Sequence, residues 1–137
     1  MKKLVSLLTL VVGLGLSTLA FAAAELVDPA PVAVPAGISE KSVVKHIKKA
    51  FVGRNWMIEE EEKGKITASV RVRSHTARIA AVYNNKQVQF TYVSSDNLAY
   101  KEKNGKRYIH KNYLNWVENV RSDLSKGLQL EALEKAN

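Results

Sequence analysis

Histidine, serine and aspartate are the ingredients of a nucleophilic triad, and this chain has them in His75, Ser94 and Asp96, with Ser95 between the last two. The strand register predicted from the hydrophobic alternation sets His75 opposite Ser94. The surrounding grammar of a hydrolase is missing. No Gly-x-Ser-x-Gly elbow strains a serine outward, and no glycine-rich turn offers oxyanion donors. No catalytic residue is therefore assigned, and hydrolysis around His75 and Ser94 is a distant alternative to a non-catalytic protein.

A second group is cationic. Arg71, Arg73 and Arg78 fall on one face of the predicted strands, where two guanidinium forks would grip a phosphate or carboxylate. Arginine stems also cover a sheet while their heads stay in water, so a solvated face is the plainer reading. Met57, Ala80 and Val82 leave part of the same face apolar, which suits a dimer or a partner protein.

The third group is the text Tyr92-Val93-Ser94-Ser95-Asp96-Asn97-Leu98-Ala99-Tyr100, followed by Ile109-His110 and by Tyr113. Short polar side chains at Ser95 and Asn97 can bond nearby backbone and hold an irregular turn. Tyr92, Tyr100, His110 and Tyr113 each carry an apolar body and a polar tip. Such a set makes either a structural corner or a small ligand pocket, with Lys111 as the nearby charge. No metal site or cofactor is expected. His46, His75 and His110 lie on separate elements, no His-x-x-x-His pair occurs, and no phosphate-cradling glycine loop is present.

These groups need elements to position them. The 137 residues allow one domain. Residues 1–22 begin with Lys2 and Lys3, continue as an apolar run and end in Ala20-Phe21-Ala22, which fits the small-x-small rule for a signal peptidase site. The expectation is a periplasmic or secreted protein cut after Ala22, with no transmembrane segment left. The chain has no cysteine, so neither lipidation nor a disulfide is available and the fold rests on packing. Loss of Lys2 and Lys3 takes the formal charge from +8 to +6. A basic surface favours anionic partners such as lipid head groups or acidic polysaccharide. Nucleic acid fits the charge, but the aromatic residues are spent on core stripes rather than interleaved with arginine, and export argues against it.

Residues 23–37 hold all three prolines and read as an extended, largely disordered linker. An amphipathic helix follows, N-capped by Ser39, with Val43, Val44, Ile47 and Phe51 at helical spacing and Gly53 as its stop. Four strands come next. Ile66, Ala68, Val70 and Val72 share a face, as do Ala77, Ile79, Ala81 and Tyr83, and Val88, Phe90 and Tyr92. A three-residue loop, Glu62-Lys63-Gly64, pairs Trp56 with Val70 and Ile58 with Ala68. Turns at Ser74-His75 and Asn84-Asn85 pair Val72 with Ala77, Arg71 with Arg78, and Ala81 with Val88. After a hydrophilic loop, Lys101 to Arg107, a second helix carries Tyr113, Trp116, Val117, Val120 and Leu124, and Gly127 ends it. The prediction is an α+β domain, α-β-β-β-β-α over residues 38–127, with both helices on one face of a four-stranded antiparallel meander and a tail at 128–137 that either extends the helix or frays.

Trp56-x-Ile58, Tyr92-x-x-Ser95-x-Asn97-Leu98-x-Tyr100 and Ile109-His110-x-x-Tyr113-x-x-Trp116 together resemble a family of small exported bacterial proteins, many of them lipoproteins. The resemblance spans roughly residues 38 to 126 and implies a compact α+β envelope domain, with no catalytic residue to carry over. The missing lipidation cysteine sets this chain apart from the lipoprotein members. The function expected is binding of an envelope component or a partner protein; the alternative is a module for a small anionic ligand.

Overall fold

The computed structural model describes residues 23–137; the predicted leader, residues 1–22, lies outside them. Among the described residues the fold is α+β, with two helices and two antiparallel sheets. Eight strands run β1 Ala23–Glu25, β2 Val32–Ala33, β3 Met57–Glu62, β4 Lys65–Val72, β5 His75–Tyr83, β6 Gln87–Asp96, β7 Lys101–Lys103 and β8 Lys106–His110. Helix α1 is Glu40–Gly53 and α2 is Lys111–Ala136. The larger sheet has the order β2-β6-β5-β4-β3 and the smaller one β1-β8-β7. Among the described residues no helix is long and apolar enough to cross a membrane.

Alternation does what it must on the inner face. Ile66, Ala68, Val70, Ala77, Ile79, Ala81, Val88 and Phe90 are all buried. From α1 they meet Val43, Ile47 and Phe51; from α2, Tyr113, Val117, Val120 and Leu124. Phe51 stands edge-on to Phe90 at 5.9 Å and tilts against Trp56 at 5.6 Å, so one aromatic ties α1 to the sheet. Ser39 caps α1 as expected, its side chain accepting from Ser42 N at 3.1 Å.

Two hairpins differ from the predicted register by two residues. Val72 pairs with His75 and Val70 with Ala77, so the turn is Arg73-Ser74, with Arg73 at φ 57°. Tyr83 pairs with Val88 and Ala81 with Phe90, so the next turn is Asn85-Lys86. Asn84 stays out of that turn because its Oδ1 accepts from both Lys86 N (2.8 Å) and Gln87 N (3.0 Å). A two-residue slip leaves every side chain on its own face, which is why the hydrophobic pattern could not detect it. In the first hairpin Ile58 does pair with Ala68, but the loop is only Lys63-Gly64. The extra residue sits in a bulge at Glu59.

Two expected loops are structure. Residues 23–37 are not a free linker: β1 pairs with β8, β2 pairs with β6, and Leu26 and Val32 are in the core. Prolines 29, 31 and 35 fall outside the two short strands they flank, where no ladder hydrogen bond is lost. Lys101 to Arg107 is a hairpin turned by Asn104 and Gly105, both at positive φ. The sheet count therefore rises from one sheet of four strands to one of five and one of three. Finally, Gly127 does not end α2. Leu128 is buried beyond it, and the predicted tail is helix as far as Ala136. A mid-helix glycine costs about 1 kcal/mol against alanine, too little to stop a helix that buries a further leucine.

Candidate functional site

The Tyr/Asn/His text forms a corner at the end of β6. A bulge leaves Val93 unpaired between Tyr92, which faces Ile79, and Ser94, which faces Arg78. The Tyr92 amide, on the outer edge of β6, donates to Asp28 Oδ1 at 3.1 Å. Tyr92 stacks on Tyr100 at 4.9 Å and meets Tyr113 edge-on at 5.7 Å; its hydroxyl bonds Ser95 Oγ at 2.7 Å. Burial pushes the Tyr113 phenol well above the usual tyrosine range. Tyr100 donates to Glu102 at 3.0 Å.

Asn97 sits in the left-handed region at φ 57°, and its Nδ2 donates to Ser74 Oγ at 2.8 Å. Its carbonyl accepts from His75 Nδ1. His110 caps α2, with Nδ1 accepting from Asn112 N at 3.1 Å, while its own amide donates to Leu98 O at 2.8 Å. Carbonyls only accept and amides only donate, so these bonds set opposite tautomers in two rings 6.5 Å apart. The six residues Tyr92, Ser95, Asn97, Tyr100, His110 and Tyr113 are thus gathered at one corner, and most of their polar tips bond other protein groups there. Lys111 opens α2 and is exposed.

The arginine face is not arranged as the predicted register required. Arg71 faces Thr76, not Arg78, and its Nε donates to Arg73 O at 3.2 Å. Arg73 is an exposed turn residue. Arg78 holds Glu59 with two bonds, 2.6 and 3.2 Å, and gives a third to Ser94 Oγ at 3.2 Å. The bulge at Glu59 brings that carboxylate to Arg78, and the hydrogen bond depresses the Glu59 pKa and raises that of Arg78. Two free forks do not converge on this face. The same register overturns the triad: Ser94 lies beside Arg78, and His75 is committed to Asn97. Among the described residues no three of His, Cys, Asp and Glu form a metal cluster.

One concave feature with charged walls lies elsewhere, between α1 and α2. A cleft of about 420 Å³ has Lys45 and Lys49 on the α1 wall and Asp123, Glu131 and Glu134 on the α2 wall. His46, Ala50 and Gly127 close its base, and Leu130 gives it an apolar side. A Cβ on Gly127 would lie 2.8 Å from His46 Nδ1, so the absent side chain is what lets the ring seat against α2. There His46 Nε2 donates to Glu131 Oε1 at 2.9 Å. That bond holds the Glu131 carboxyl below the usual range, with Lys135 adding to it. The other oxygen, Oε2, is shielded from solvent and accepts no hydrogen bond. Its nearest cation, Lys135, is 3.4 Å away and donates to Gly37 O at 3.2 Å. Asp123 is occupied by Arg54 through bonds of 2.8 and 3.2 Å. Among the described residues Lys45, Lys49 and Glu134 form no ion pair.

Reading Gly127 as a helix stop hid this cleft. The signal for it was the continued period: Gly127, Glu131 and Lys135 follow at four-residue steps, as do Val120, Leu124 and Leu128 on the core side. No protein-family model matches the chain, and no curated protein or solved structure is significantly similar to it.

Proposed function

We propose that this protein is a non-catalytic exported domain that binds a component of the cell envelope, and that the cleft between α1 and α2 is its ligand seat. The observation that carries this reading is the pairing of concavity with uncommitted charge. The cleft has the size of small-molecule sites, which often lie between helices, and its two walls carry opposite charge. The corner and the arginine face offer less, because their polar groups are largely spent on one another. The predicted leader at residues 1–22 and the resemblance to exported proteins support an exported location.

A second reading rests on the outer side of α1. Lys41, Lys45, Lys48 and Lys49 surround Ser42 and Val44 along a shallow trough of about 580 Å³, a surface suited to an anionic polymer or membrane. Among the described residues only Lys48 is paired there, with Glu61. Amide NMR titration of the purified protein with soluble peptidoglycan fragments, anionic lipid nanodiscs and heparin separates the two. Shifts at residues 123–134 together with His46 support the cleft. Shifts confined to the α1 lysines and abolished by salt support the trough. No shift with any of them removes both in favour of a protein partner.

A further inference from the structure

We infer that the ligand of the α1–α2 cleft is a zwitterion, a compound carrying an amino acid's ammonium and carboxylate; this deepens the cleft reading and rests on it. Lys45 and Lys49 present two cations from α1, free of any carboxylate within 4.0 Å among the described residues. On the opposite wall Glu134 forms no ion pair among the described residues, and Glu131 adds a second carboxylate, held by His46 and 3.4 Å from Lys135. A simple anion would satisfy the lysines and meet Glu134 and Glu131 with like charge; a simple cation would do the reverse. A ligand with both charges satisfies both walls at once.

The remaining surfaces fit the same ligand. Leu130 is 60% exposed at the rim and Ala50 lies at the base, so an aliphatic stem between charged ends has apolar surface to cover. The Glu131 carboxylate is fixed by His46, whose seat depends on Gly127, so one negative charge is positioned before the ligand arrives.

The test uses 2,6-diaminopimelate, which has an amino-acid group at each end of an aliphatic chain, as the probe in an amide NMR titration of the purified protein. The expected result is saturable shifts at Lys45, Lys49, Glu131 and Glu134. N-acetylation of the probe and amidation of its carboxylates should each weaken binding by about tenfold or more, the loss of one charged hydrogen bond. Lys45→Gln with Lys49→Gln should erase the penalty for amidation, and Glu134→Gln should reduce that for acetylation. All three side chains are exposed, so these variants should keep the fold. Equal binding of blocked and unblocked probes would overturn the inference. So would absence of shifts with diaminopimelate while peptidoglycan fragments still move the cleft, an outcome that leaves the cleft reading standing. If neither ligand moves it, both readings fail. Binding of the free amino acid but not of the peptidoglycan stem peptide assigns the source as a soluble metabolite.

Discussion

The His46 ring occupies the space that a side chain on Gly127 would need: a Cβ there would come within 2.8 Å of Nδ1. Gly127→Ala therefore sets two effects against each other. Helix propensity favours alanine by about 1 kcal/mol. Displacing His46 breaks its bond to Glu131 and disturbs the packing between the helices, at about 1–3 kcal/mol. The variant should be no more stable than the parent in urea unfolding. In a His46→Ala background the same change should recover the full propensity gain, about 1 kcal/mol. A gain already present with His46 intact would show that the ring moves aside freely.

Leu26 decides whether residues 23–37 are structural. It is 3% exposed and belongs to the core. Leu26→Ala should cost about 2–5 kcal/mol, the range for a buried leucine. A change below about 0.5 kcal/mol, as on a free surface, would restore the linker reading.

Asn97 should behave as a scaffold residue. Its backbone is left-handed and its side chain bonds Ser74, which helps pin the turn that sets the β4–β5 register. Asn97→Ala should lower stability by about 1–2 kcal/mol through strain and the lost bond. Asn97→Gly should lose less, because it removes the strain and only the bond remains to be missed. Thermal unfolding of the two variants gives the comparison directly.

Acid should weaken the fold through three carboxylates. Arg54 holds Asp123 below its ordinary pKa, as Arg78 does for Glu59 and His46 for Glu131. A depressed native pKa means the unfolded chain binds the proton more readily. The stabilisation is complete above the unfolded values, at about pH 5 and higher, and is lost as pH falls through the depressed native ones. All three are partly exposed, so the slope should be modest. A Glu59→Gln, Asp123→Asn, Glu131→Gln variant should show a flatter melting temperature between pH 5 and pH 3, at about those limits. An unchanged slope would mean that these pairs contribute nothing.

At the alkaline end Tyr113 gives the opposite sign. Its phenol is buried and its pKa raised, so stability is intact below the unfolded tyrosine value of about 10 and falls as pH rises above it. Difference absorbance near about 295 nm, where phenolate absorbs, should show Tyr113 ionising only together with unfolding. Tyr113→Phe should remove that component; early titration of Tyr113 in the folded protein would contradict its burial.

By itself the sequence determined the class of fold and, for the two helices and four strands it identified, the side that faces the core. Val43, Ile47 and Phe51 recur at helical spacing, and Ile66 to Val70, Ala77 to Ala81 and Val88 to Phe90 alternate, and these local periods allow one buried face each. What they could not distinguish is a shift of two residues, because it returns each side chain to the same face. That choice fell to contacts remote in sequence, such as Asn97 on Ser74, and to the double acceptor role of Asn84. The cleft was likewise decided in three dimensions. Gly127 looks like a stop when only its own helix is considered, and becomes a seat once His46 arrives from a helix some eighty residues earlier. Leu26 and Val32 show the same limit, since proline-rich text near the N-terminus is ordered only by the strands it meets, β8 and β6. Periodicity is a property of one segment; register, clefts and docked edges are properties of pairs, and the free energy that selects among pairs exists only when both partners are in place.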